Sequence, residues 1–311
     1  MLNDKIYVAG HRGMVGSAIV RELQEQGFTN IITATSKVLD LRDQNAVRGF
    51  FTWEKPDYVI LAAAKVGGIN ANMKYQADFM YDNLMIQTNV IHEAWKAGVK
   101  KLVFLGSSCI YPRNCPQPMK EEYILDGKLE PTNEGYAVAK LAGLKMAEYY
   151  YRQHGFKAIS IMPPNLYGPN DSFDLEHSHV LSALVRRFCE AVATDAPSVT
   201  VWGTGSARRE FMHVHDMAAA TVFMLQHYDE PSFLNVGTAE ELSIRDLAEM
   251  IATKTGYKGE IVWDSTKPDG MPLKCMDVTR MKATGFMPKI ALSDGLSDMI
   301  AIYRTQMENK V

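Results

Sequence analysis

No stretch of the chain approaches the roughly eighteen uninterrupted apolar residues that a membrane-spanning helix needs, so no membrane partner is expected. Met1-Leu2-Asn3-Asp4-Lys5 leads at once into a strand-like run, so no signal peptide is expected. An excess of one charge is missing as well: 33 Lys and Arg stand against 36 Asp and Glu, a formal net charge of −3. That balance gives no electrostatic footprint for nucleic acid, so any anion binding must be local. Cysteine is scarce. Its four copies, at 109, 115, 189 and 275, form no CxxC pair, which argues against a disulfide framework and a zinc site. No metal is expected, and reduced thiols suit the cytoplasm. Internal repeats and low-complexity tracts are absent. What remains is an ordinary globular composition, 47% hydrophobic and 22% charged over 311 residues, enough for a full core.

The first half alternates short apolar runs with helix-period segments. Ile6 to Ala9, Asn30 to Thr35, Tyr58 to Ala62, Lys101 to Leu105 and Ile159 to Met162 read as strands, and Ser17 to Gly27 and the segment after Tyr136 as helices. Strands without polar alternation, separated by helices, predict a parallel sheet covered on both faces. Past residue 165 the rhythm breaks into a turn-rich stretch, a helix over Ser182 to Ala193 and shorter mixed elements. The expected fold is α/β: a Rossmann-type doubly wound parallel sheet with a smaller C-terminal α/β substrate lobe. Residues 1–165 would form the first domain, with some later segments returning to it, and 166–311 mainly the smaller lobe. Ligands of such sheets bind at the C-terminal ends of the strands.

Just past the first strand stands Gly10-His11-Arg12-Gly13-Met14-Val15-Gly16, opening a helix. Glycines there permit a tight turn and bring backbone N–H groups and a helix N-terminus to a pyrophosphate. Gly16 is followed by Ser17-Ala18, so this is not a Walker loop. Ala34-Thr35-Ser36-Lys37, at the end of the second strand, lacks the carboxylate that would hold the ribose hydroxyls of NAD. Arg12 and Lys37 are suited to a 2′-phosphate, so NADP(H) is the expected cofactor.

Tyr136 alone among the tyrosines has a lysine four residues later, Lys140. The preceding Pro131-Thr132-Asn133-Glu134-Gly135 starts a helix that Gly155 stops, and residues i and i+4 share a face. An ammonium beside the phenol is expected to lower a pKa that is ordinarily about 10, letting Tyr136 protonate a carbonyl oxygen as hydride arrives at carbon. After the strand ending at Leu105 comes Gly106-Ser107-Ser108-Cys109-Ile110-Tyr111-Pro112. A serine there can hydrogen-bond the same oxygen; Ser107 is preferred, with Ser108 left open.

Further along stand Ala62-Ala63-Ala64, Asn83, Asn89-Val90, Pro163, Arg209, Asn235-Val236-Gly237 and Asp246-Leu247. Together with the motifs above they resemble the extended short-chain dehydrogenase/reductase family over nearly the whole chain. Ala64 to Ile69, Gly106 to Pro112, Asn165 to Pro169, Ser178-His179-Val180 and Lys267-Pro268-Asp269-Gly270 are similar to members acting on a GDP-linked 4-keto-6-deoxy sugar. The resemblance implies epimerisation at two carbons and NADPH-dependent reduction of the ketone between them. It makes Cys109 and His179 the epimerisation base and acid and Tyr136 the acid of reduction. It puts Arg187, Trp202, Arg209 and Asp269 against the GDP-sugar. For the cofactor it adds Ser36 through Leu41 near adenosine, with Asp40 the adenine partner. Leu105 to Ser108, Pro163, Pro164, Asn165, Leu166, Lys140 and His179 complete that set. Family members commonly pair through the helix that carries Tyr149, Tyr150 and Tyr151, so a homodimer is implied.

Three positions depart from the family pattern: Gly135 replaces a proline, Pro164 a threonine, and His215 an acidic residue. His213 and His215 alternate on an expected strand, but a third metal ligand is not evident. A nucleotide-sugar 4-epimerase is the nearest rival; it would hold NAD tightly and need no cysteine beside Ser107. A non-catalytic dinucleotide sensor would be expected to have lost Tyr136 or Lys140.

Overall fold

The computed structural model describes residues 1–174, 178–267 and 269–308, so Pro268 of the Lys267–Gly270 segment lies outside the described residues. The alternation begins with β1 (Ile6–Ala9), α1 (Met14–Glu25), β2 (Ile31–Ile32), α2 (Gln44–Glu54) and β3 (Tyr58–Leu61). It continues through α3 (Ile69–Lys74), α4 (Gln76–Lys96), β4 (Lys101–Leu105), α5 (Glu134–His154) and β5 (Lys157–Met162). Next come β6 (Asn165–Tyr167), α6 (Val180–Ala193), β7 (Ser198–Trp202), β8 (Arg208–His213), α7 (Val214–His227) and β9 (Leu234–Asn235). β10 (Glu241–Ser243), α8 (Ile244–Thr255), β11 (Glu260–Asp264), β12 (Leu273–Lys274), α9 (Thr279–Ala283) and α10 (Leu292–Glu308) follow.

Six of these strands form one parallel sheet in the order β2-β1-β3-β4-β5-β9. Ile6, Val8, Val59, Ile60, Leu102, Val103, Phe104, Ile159 and Ile161 expose no surface at all, as strands covered on both faces require. Burying each such side chain contributes about 1.5–3 kcal/mol, so this layer is the principal core. α1 packs with α7, and α4 lies against both α2 and α5. The second strand is shorter than Asn30–Thr35. Thr35 turns out of the sheet, its carbonyl accepting from the N–H groups of Val38 and Leu39 at 2.9 Å. Two later segments join this layer: β9 pairs with Ile161 and Met162 of β5, and α7 lies on the same core.

In a second sheet β8 is flanked by antiparallel β10 and parallel β12 and also pairs with β6. β7 and β11 make a parallel pair. A second core gathers Leu184, Val185 and Phe188 of α6, Leu247 and Ile251 of α8, and Leu296 and Met299 of α10. Glu210 on β8 is fully buried, and burial pushes its carboxyl pKa up. Its Oε1 accepts from Thr238 N at 2.7 Å and Ala239 N at 3.0 Å, and its Oε2 from Met276 N at 2.9 Å. One carboxyl therefore ties three separate stretches of chain together.

Candidate active site

The strand order reverses between β1 and β3, the switch point where such sheets take their ligands. Here the glycine loop folds tightly on itself. Gly10 has φ +87°, and Gly13 N donates to Gly10 O at 3.0 Å. A Cβ on Gly16 would lie 2.2 Å from Gly10 O, and one on Gly10 would lie 2.7 Å from Ala63 Cα, so neither position admits a side chain. Gly13 is the N-cap of α1 and has no side chain to cap it, which leaves the first N–H groups of the helix for an anion. In the same loop His11 Nδ1 is buried without a hydrogen-bond partner. A cradle closed to any Cβ and an orphaned buried nitrogen both fit a bound dinucleotide phosphate.

On the adenosine side Ser36 and Lys37 are exposed, as is Arg12 in the glycine loop. The Asp40 carboxylate is engaged by the Arg42 guanidinium at 2.8 Å, which holds its pKa below the usual carboxylate range. Arg42 also pairs with Asp82 at 3.1 Å, and Asp82 with Lys65 at 2.8 Å. Leu41 O accepts from Asn89 Nδ2 at 2.9 Å, which fixes this segment against α4. Neither Arg42 nor Asp82 belongs to a motif, and their pairing across 40 residues of chain leaves no local signal.

The end of β4 brings the reactive groups together. Ser107 caps a short 3-10 turn over Ser108–Ile110, its Oγ accepting from Cys109 N at 3.2 Å, and it hydrogen-bonds the Tyr136 side chain. Ser108 instead is buried, with its N–H donating to Pro163 O at 3.2 Å. Geometry thus sets Ser107, not Ser108, beside the phenol. Cys109 Sγ accepts from Asn133 Nδ2 at 3.2 Å and lies 3.6 Å from Lys274 Nζ. Neither partner was foreseen from the sequence, being 24 and 165 residues away in the chain.

Lys140 corrects one expectation. Its Nζ donates to Leu105 O at 2.8 Å and lies 4.8 Å from the Phe104 ring centre. Burial pushes its pKa down to about 7. The Tyr136 phenol is not lowered by this cation but raised, first by burial and then by the nearby Cys109, with the Ser107 hydrogen bond opposing. Desolvation decides the direction, because the lysine is turned toward a backbone carbonyl and not toward the phenol.

His179 is the exposed N-cap of α6 and lies within electrostatic reach of Asp171. No hydrogen bond among the described residues joins it to Cys109 or Tyr136. Asn165 Nδ2 donates to Glu210 O at 3.0 Å, holding the Pro163–Leu166 stretch against β8. Burial lowers the pKa of both Arg187 and Arg209. Arg187 Nη1 donates to Thr200 O at 2.7 Å. Arg209 Nη2 donates to Asp269 O at 3.3 Å and is in electrostatic reach of Cys109. Asp269 spends both carboxylate oxygens on Thr204, accepting from its N at 2.7 Å and its Oγ1 at 2.8 Å. Trp202 is 49% exposed, with the Lys267 ammonium over its ring at 5.4 Å from the centre.

His213 and His215 do not alternate on a strand: His213 ends β8 and His215 sits in the first turn of α7. Burial lowers the His213 pKa to about 4, and no group of three potential metal ligands occurs among the described residues. Gly135 also finds its reason, because a Cβ there would lie 2.6 Å from Gln76 O at the start of α4.

A glycine cradle at the β1/β3 switch point and a serine-tyrosine-lysine set at the end of β4 define a dinucleotide-dependent oxidoreductase architecture. The profile of the NAD dependent epimerase/dehydratase family matches residues 6–237. The chain belongs to this family. Among family relatives, GDP-L-fucose synthase 1 of Arabidopsis thaliana is 57% identical over 306 residues, 98% of this chain and 95% of that one. A GDP-6-OMe-4-keto-L-xylo-heptose reductase from C. jejuni superposes with a TM-score of 0.93 at 37% identity, covering 98% of this chain and 99% of its own. An NADP-bound GDP-L-fucose synthetase from Naegleria fowleri gives a TM-score of 0.89 at 26% identity, covering 98% and 95%. The family's parallel sheet flanked by helices is the fold described above.

Proposed function

We propose that the chain converts GDP-4-keto-6-deoxy-D-mannose to GDP-L-fucose, inverting C3 and C5 and then reducing C4 with NADPH. The observation that carries this reading is a thiol, Cys109, held next to the Ser107–Tyr136 pair that would grip the ketone oxygen. A simple carbonyl reductase has no use for a second proton-transfer group there. An epimerase needs one, because the C4 ketone acidifies the hydrogens on C3 and C5.

In this reading the Cys109 sulfur takes the proton from carbon, and the electron pair moves to O4 as an enolate. Ser107 and Tyr136 donate to that oxygen. An acid on the opposite face returns a proton to carbon, the role assigned to His179. NADPH, when bound, supplies the hydride to C4. Tyr136 gives its proton to O4, and the phenol's raised pKa keeps that proton in place until it is needed. Lys140 holds the end of β4 and would stand on the nicotinamide side of the cofactor. Gly10 to Gly16 hold the pyrophosphate, Arg12 and Lys37 the 2′-phosphate, and Ser36 to Leu41 the adenosine. Leu105 to Ser108, the Pro163–Leu166 stretch and His179 border the nicotinamide. Arg187 and Arg209 take the GDP phosphates, and Trp202 offers its face to the base or sugar. Asp269, with both oxygens engaged, orders the Thr204 turn beside them and keeps capacity to accept a further donor.

The same reading divides the chain into residues 1–165, with α7 and β9, for the cofactor and mainly 166–311 for the sugar. Tyr149 on α5 and Tyr81 on α4 are 56% and 61% exposed, a surface suited to a homodimer seam. No helix among the described residues is long and apolar enough to cross a membrane, and a cytoplasmic site of action suits this substrate. Incubation with GDP-4-keto-6-deoxymannose and NADPH in D₂O tests the proposal. Stoichiometric NADPH oxidation with deuterium at C3 and C5 of the product supports it. No NADPH oxidation with this ketone, together with C4 inversion of a GDP-linked 4-hydroxy sugar without net cofactor consumption, supports the rival 4-epimerase.

A further inference from the structure

Asn133 stands at the N-cap of α5, where an asparagine ordinarily accepts a hydrogen bond from the second or third N–H of its helix. Its side chain makes no such bond. Nδ2 donates instead to Cys109 Sγ at 3.2 Å, and Oδ1 is buried without a hydrogen-bond partner. The turn that presents it is braced from within. Glu130 Oε1 accepts from Thr132 N at 3.3 Å and Thr132 Oγ1 at 3.1 Å, and Asn133 N donates to Glu130 O at 3.2 Å. The Lys274 ammonium, 3.6 Å from the sulfur, is its second donor. Two donors converging on one sulfur make it an acceptor, so the amide nitrogen is the end that faces it.

A buried amide oxygen without a donor is costly unless something that binds there supplies one. The groups around it narrow what that is. Cys109, which the same amide touches, lies within electrostatic reach of both Tyr136 and Arg209, so the amide borders the candidate active site. Hydroxyls of a sugar ring are donors of the required kind.

We propose that Asn133 positions the epimerisation step from both sides: its Nδ2 aims the Cys109 sulfur, and its Oδ1 accepts a hydroxyl of the ring that the sulfur deprotonates. One planar amide then sets the place of the base and the place of the carbon acid together. The inference rests on the epimerase-reductase reading above and adds to it the residue that registers the ring against the sulfur.

Two substitutions test it. Asn133→Asp keeps the shape but removes the donor to sulfur, and Asn133→Ser supplies a residue that caps helices well and so protects folding. Three readouts are compared with the unaltered chain: deuterium uptake at C3 and C5 of GDP-4-keto-6-deoxymannose without NADPH, reduction of the already epimerised ketone with NADPH, and the rate of Cys109 alkylation by iodoacetamide. Both variants are expected to slow deuterium uptake by about ten-fold or more beyond any loss in reduction. Alkylation of Cys109 slows in Asn133→Asp. Equal losses in uptake and reduction, the mark of a purely structural role, overturn the proposal, as does unaltered uptake. Absence of uptake in the unaltered chain sinks the epimerase reading instead. The alkylation rates then decide whether Asn133 holds the sulfur, and unchanged rates reject it.

Discussion

Lys140 Nζ reaches the Leu105 carbonyl oxygen at 2.8 Å, so the lysine one turn beyond Tyr136 is anchored to the end of β4 and not to the phenol. This bond fastens α5 to the strand that delivers Ser107 and Cys109. It also takes a cationic group out of water, with consequences for stability as well as for chemistry.

The first prediction follows from that burial. The pKa of Lys140 is about 7 in the fold and 10.5 in an unfolded chain, so between these values the unfolded state binds the extra proton. Stability from this group therefore rises with pH through that window and is lost as pH falls toward 7. The slope is at most about 1.4 kcal/mol per pH unit. Urea unfolding at several pH values is expected to show the slope in the unaltered chain and a flatter profile in Lys140→Met.

Removing the phenol tests the proton donor. Tyr136→Phe should lower the rate of ketone reduction by about 10²–10⁴-fold, the usual range for a lost general acid, with NADPH affinity changed by less than about three-fold. Stopped-flow reduction and fluorescence titration measure the two. An undiminished reduction rate would remove Tyr136 from the mechanism.

Gly16→Ala probes the cradle. The added Cβ meets backbone atoms of Gly10 that cannot step aside, so a loss of about 1–3 kcal/mol in stability and a loss of NADPH binding are expected together. Unaltered NADPH titration in this variant would mean that the loop does not hold the pyrophosphate.

Lys37→Glu addresses cofactor choice. If Lys37 contacts the 2′-phosphate, NADPH binding weakens by about ten-fold or more while NADH binding changes little, since a phosphate–cation hydrogen bond contributes about 1.5–3 kcal/mol. Titrations with both cofactors decide it, and a parallel loss for the two removes Lys37 from the phosphate.

Glu210→Ala leaves three backbone N–H groups without their acceptor. A loss of about 3 kcal/mol or more is expected, measured as a lower urea midpoint, and a change below about 1 kcal/mol would mean that water replaces the carboxyl.

What could be read from the residues alone was whatever depends on neighbours in the chain. The apolar runs of β1, β3, β4 and β5 announce a covered parallel sheet, and the glycine spacing after β1 announces a phosphate turn, because both are local patterns. β9 could not be read in this way: Leu234–Asn235 is too short to show a period and gains its strand character only by pairing with β5. The spacing of Tyr136 and Lys140 put them on one face of a helix, yet the direction of the ammonium depends on Leu105, which arrives from another strand. The histidines at 213 and 215 misled because the strand stops between them. Asn133 read as part of a helix start, and only the approach of Cys109 in space gives it a different partner.

The insertion of β9 beside β5 has a consequence for the nascent protein. A ribosome must release residue 235 before the last edge of the dinucleotide-binding layer can zip shut, so that layer matures late in synthesis although it starts at residue 6. Until then β5 has an open flank, and whatever shields that edge in the meantime governs how much chain reaches the native state.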